Sequence, residues 1–240
     1  MEERSTGPGA LSLRWIWLAW LAPVFTVLGF VVFGVASRGD PTPLIEKLFE
    51  STAQFALLAY TVGQVVAALV LICFVKRGGL GFRDIGFSGR LTGQGAILAL
   101  AGWFIAFWLY YAVEKSLSLA GIKMFWNESG FFALDSVWRV VIVVVATLVV
   151  APLAEEMIYR GYVLQALLAR LRKPVAAVLS ALVFASIHVG MGPGFAIYIF
   201  LGALILAYLY VKFRNVYACV LMHLMNNVVA YIVIPLMLSD

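Results

Sequence analysis

The chain has 240 residues, 64% hydrophobic and 12% charged, with a formal net charge of +5 and a mean hydropathy of +1.01. That balance excludes a soluble domain with a wet surface. It also excludes nucleic acid as a partner, because the excess positive charge lies in short loops between apolar runs and forms no basic patch. What remains is a polytopic membrane protein whose partner is the lipid bilayer, and its unbroken apolar and aromatic runs select helices over barrel strands.

The predicted architecture is all-α, a transmembrane bundle of seven or eight helices. Residues 1–13 read as a short, mobile N-terminal tail, and 14–240 as a single transmembrane domain without repeats or linkers. Glu2 and Glu3 argue against a cleavable signal peptide, so the first apolar run is read as retained. Apolar runs extend from Trp15 to Ala36, Thr52 to Val75, Gln94 to Leu117 and Val137 to Leu153. Three more follow, Pro174 to Val189, Ala196 to Val211 and Val216 to Leu238. The fourth run continues to about Leu168, and a break at Pro152 would make an eighth span. Basic residues crowd alternate loops: Lys76, Arg77, Arg83 and Arg90; Arg170, Arg172 and Lys173; Lys212 and Arg214. The positive-inside rule then predicts a cytoplasmic N-terminus and an external C-terminus, and the membrane expected is the plasma membrane of a prokaryote. Trp15, Trp17, Trp126 and Trp138 read as interfacial anchors, and Cys73 and Cys219 as buried small apolar residues. Gln54, Thr61 and Gln64 in the second run read as bonds between helices, and Gly190 to Gly194 as a tight outside turn.

Three motifs interrupt the apolar runs: Glu155, Glu156 and Arg160; Phe184 and His188; His223 and Asn227. Ionisable groups at membrane depth cost roughly 2.5–3.5 kcal/mol each on insertion scales, so a chain that keeps several has a use for them. Glu156 and Arg160, four apart, stack on one helical face and can neutralise each other, while Glu155 points elsewhere. A carboxylate facing a cavity without a guanidinium partner is suited to take a proton from water, the task of a general base. Phe184 shares a face with His188 and limits its orientations. Asn227 shares a face with His223 and offers uncharged donors of the kind that stabilise an oxyanion, whereas Asn226 points to another face. In a hairpin turning at Arg170 to Lys173, Glu155 and His188 both lie about 22 Å from the turn and can meet. His223 and Asn227, about 14 and 20 Å from Arg214, converge on a similar level.

The order EExxxR, FxxxH, HxxxN in apolar helices resembles the CPBP (ABI) family of intramembrane endopeptidases, which includes type II CAAX prenyl proteases and bacteriocin-processing or self-immunity proteins. The motif-bearing part of the domain is 151–227, and Gly161 and the glycine-rich segment from Gly78 to Gly89 also look like the family. The resemblance implies hydrolysis of a peptide bond by water that Glu155 and His188 activate. His223 and Asn227 would hold the carbonyl oxygen, with Glu156, Arg160 and Phe184 supporting the site. The implied substrate is a peptide or lipidated protein at the membrane, of the prenylated CAAX type by analogy. No cofactor is favoured. Zinc is the alternative, and would have to be held by Glu155, His188 and His223 on three separate helices, with no HExxH pair on one of them. Two rival functions keep the same residues: a non-catalytic bacteriocin-immunity or peptide-binding membrane protein, and a proton- or ion-coupled transporter component. No inverted repeat or pair of broken helices supports the transporter.

Overall fold

The computed structural model describes residues 11–37, 39–49, 51–126 and 136–238. Among these the chain forms eight helices and no strand: α1 Leu13–Ala36, α2 Thr42–Phe49, α3 Thr52–Arg77, α4 Gly93–Leu119, α5 Val137–Leu168, α6 Lys173–Ser186, α7 Pro193–Phe213 and α8 Tyr217–Met237. Six of them (α1, α3, α4, α5, α7 and α8) are long and apolar enough to cross a membrane. The fifth expected span corresponds to α6, whose 14 residues reach about 21 Å, short of a hydrocarbon core of about 30 Å. His188 thus lies just past a helix end, in the turn where α6 gives way to Val189–Met191.

Helix starts follow local chemistry. The hydroxyls of Ser51, Thr92 and Ser136 each accept from a backbone N–H in the first turn of α3, α4 and α5. Pro174 and Pro193 occupy the first turns of α6 and α7, where a missing N–H is harmless. Pro152, expected to break the fourth span, does not, and no eighth span arises. Val144–Val150 runs as wide π turns, and the Ala151 N–H reaches back to the Ala146 carbonyl, five residues away. The next donor in that register would be residue 152, a proline, so the Thr147 carbonyl needs a partner from elsewhere.

The three basic loops gather at one end of the bundle. Val216 N–H donates to the Gly86 carbonyl at 2.9 Å, Ser88 to the Arg214 carbonyl at 3.1 Å, and Gln165 to the Asp84 carbonyl while accepting from Tyr210. Gly161 permits this closure, since a Cβ there would overlap the Ile85 carbonyl. The start of α1 lies at the same end: Arg170 Nη1 donates to the Leu11 carbonyl at 3.0 Å, and Tyr162 to that of Ser12.

Several expectations need correction. Leu11 and Ser12, assigned to a mobile tail, are bonded to Arg170 just past α5 and to Tyr162 of α5, while residues 1–10 of that tail, with Glu2 and Glu3, lie outside the described residues. Cys219 is buried but Cys73 is exposed. Trp15 stacks on Phe74 at 3.6 Å, so it packs in the bundle as well as marking a span end. The turn at Gly190 to Gly194 is buttressed: Trp126 N–H donates to the Met191 carbonyl and Phe195 N–H to that of Met124, both at 3.0 Å.

Candidate active site

The site forms where α5 passes between α3, α6 and α8. Glu155 and Glu156 close the α-helical stretch Ala151–Glu156, and Arg160 falls in the π stretch Met157–Leu164 that follows. All three are buried, at 5%, 0% and 2% exposure, so none is charged without a partner at hand. Arg160 Nη1 donates to Glu156 Oε1 at 3.1 Å, the pair that the spacing predicts. Its guanidinium also lies 4.6 Å from the centre of the Phe184 ring, which covers the cation with an aromatic face.

His223 stands between the tandem acids. Its Nδ1 lies 2.9 Å from Glu156 Oε1, and its Nε2 lies 3.7 Å from Glu155 Oε2. A carboxylate oxygen can only accept, so Nδ1 carries the hydrogen, and a second proton on Nε2 would make an imidazolium facing Glu155. Glu156 therefore serves two cations or donors at once, although its Oε2 is buried without a hydrogen-bond partner.

Glu155 departs from expectation. It is no free carboxylate facing a cavity: Gln64 Nε2 donates to its Oε1 at 2.5 Å, and the Tyr60 hydroxyl approaches the same oxygen at 3.3 Å. Both donors come from α3. Gln64 was expected to bond between helices, and it does, but its partner is the motif glutamate. Thr61, read the same way, bonds within its own helix to the Leu57 carbonyl at 2.7 Å.

Phe184 joins the second motif to the others, with its ring 4.9 Å from His188 and 6.3 Å from His223. The shared face of Phe184 and His188 is thus realised, and the His188 Nδ1 lies 3.0 Å from the Phe184 carbonyl. A carbonyl only accepts, so Nδ1 holds the hydrogen and Nε2 of the neutral ring presents a lone pair. The Phe195 ring also lies against the imidazole, 5.8 Å between centres.

Asn227 is buried with the set, but its Nδ2 donates to the Thr147 carbonyl at 2.8 Å. That is the carbonyl that Pro152 leaves without a backbone donor in the π register. One amide hydrogen is thereby committed to α5, and the second is what Asn227 retains for other acceptors. Asn226, on the adjacent face, accepts from the Tyr198 hydroxyl of α7 at 2.6 Å, as the helical spacing anticipates.

The structure thus brings Glu155, Glu156, Arg160 and His223 into direct contact, attaches His188 through Phe184, and turns Asn227 toward the backbone of α5. Tyr60 and Gln64 are the residues that sequence reasoning passed over. The usable signal was a polar side chain at mid-depth in an apolar helix. Among the described residues no three His, Cys, Asp or Glu side chains are grouped to hold a metal ion. His188 is directed to the Phe184 carbonyl while Glu155 and His223 face one another.

Residues 137–229 match the family model for Rce1-like proteins, described as type II CAAX prenyl endopeptidase. The matched segment runs from the start of α5 into α8 and contains every residue of the three motifs. No curated protein and no solved structure matches the chain. The protein is thus a multi-pass helical membrane protein whose motif-bearing segment, residues 137–229, is similar to the Rce1-like type II CAAX prenyl endopeptidases.

Proposed function

We propose that this protein is an intramembrane endopeptidase that cleaves a peptide bond of a membrane-associated, lipidated substrate with water activated by Glu155 and His188. The observation that carries this reading is a buried carboxylate with two half-buried imidazoles near it among apolar helices, and Glu156 and Arg160 balancing charge beside them. Glu155 takes a proton from water as the oxygen bonds to the carbonyl carbon. His188 Nε2, unprotonated when Nδ1 is bonded to Phe184, accepts a hydrogen bond from the same water and holds it in line. The negative charge that develops on the carbonyl oxygen is met by His223 and the second amide hydrogen of Asn227. Glu155 then returns its proton to the leaving amine as the C–N bond breaks, which restores the carboxylate.

In this mechanism the charge is carried by side chains alone, as in a glutamate-type peptidase. The basic end of the bundle, with the start of α1, faces the cytoplasm, and the other end faces outward. The test is cleavage of a quenched-fluorescent lipidated peptide by purified wild type, Glu155→Ala and His188→Ala, with and without a chelator. Each substitution is expected to lower cleavage by about 100- to 10,000-fold, with folded protein still recovered, and the chelator to leave the wild type active. Cleavage by both variants at the wild-type rate would overturn the reading. Loss on chelation that zinc restores would instead assign the chemistry to a metal.

A further inference from the structure

We propose that α3 supplies a two-point clamp, Tyr60 and Gln64, that positions Glu155 for the reaction; the inference rests on the peptidase reading above. Both residues lie outside the segment that matches the peptidase family. Both donors meet one oxygen, Oε1, while Oε2 is the oxygen that lies toward His223. Two donors on one oxygen fix the rotation of the carboxyl group and leave the other oxygen for a water proton. Gln64 is 1% exposed, and its own Oε1 is buried without a hydrogen-bond partner. A buried acceptor in that state is a place for a water hydrogen, since nearly all such groups are satisfied in folded proteins. The amide holds the base with its nitrogen, and its oxygen stays open to a water other than the attacking one, whose two hydrogens go to Glu155 and His188. Tyr60 and Gln64, four residues apart, share one face of α3, so a single helix sets both bonds. Gly63 keeps that helix close to its neighbour, since a Cβ there would run into the Ala22 backbone of α1.

The test uses the full-length protein in detergent, with Gln64→Met and Tyr60→Phe. Met is nearly isosteric with Gln but has no donor, and Phe removes a single hydroxyl, so one of the two folds even if the other does not. The Glu155 carboxyl band, identified by its loss in Glu155→Gln, is followed by infrared spectroscopy, and kcat and KM are measured separately on the lipidated peptide. The clamp predicts that each variant shifts the band. It also predicts that Gln64→Met lowers kcat by about 10- to 100-fold with KM within about twofold, the loss of one charge-assisted hydrogen bond. An unmoved band in both variants would overturn the clamp, and so would a shifted band with unchanged kcat. If the wild type cleaves nothing, the positioning role falls with the peptidase reading, and the band still reports whether the two bonds exist.

Discussion

Helices α3 and α5 both carry polar groups through the interior of the bundle, and they do so by different means. Between its basic C-terminal residues and its N-terminus α3 holds no formal charge, whereas α5 places Glu155, Glu156 and Arg160 within six residues of one another. The charges on α5 are tolerable because three other helices answer them: α8 with His223, α6 with the Phe184 ring, and α3 with the Gln64 amide and Tyr60 hydroxyl. The helix without motifs is thus part of the environment that lets the motif helix exist.

The largest loss is expected from breaking the ion pair on α5. Arg160→Met would leave Glu156 with His223 as its one remaining donor, and is expected to cost about 3–5 kcal/mol, seen as a marked fall in thermal unfolding temperature in detergent. A variant as stable as wild type would mean that α5 does not rely on internal neutralisation. A smaller effect is expected at the basic end. Gly161→Ala drives a Cβ into the Ile85 carbonyl and should cost about 1–3 kcal/mol by prising the α3–α4 loop from α5. Protease sensitivity of that loop is the measurement, and an unchanged digestion pattern would refute the close docking. The smallest effect sharpens the comparison most. Asn227→Leu removes the donor to the Thr147 carbonyl and should cost about 1–2 kcal/mol of stability. Stability held at wild-type level with cleavage abolished would make Asn227 a substrate ligand and no partner of α5.

The positions of the helices were legible because membrane depth demands long apolar runs, and the runs at Thr52, Val137 and Pro174 begin within a residue of the helices themselves. Pro152 misled because its effect depends on whether the preceding turns can widen, and nothing in the local pattern announces a π stretch. The motif residues were legible as well, since charged and histidine side chains stand out against an apolar background. Gln64 was visible, but its partner was not: a polar group on α3 has several helices to choose from, and only packing selects Glu155.

The sequence by itself determined that the chain is helical, that it lies in a membrane, and that its ionisable residues fall into three groups at helical spacing. Those properties are local, set by hydropathy and by a repeat of about 3.6 residues per turn. Only the tertiary structure decided that His223 lies between the two glutamates, that Asn227 repairs the carbonyl left bare by Pro152, and that Glu155 is held from α3. Each of these is a contact between residues far apart in the chain, and its energy depends on distance and orientation that no spacing along one helix encodes.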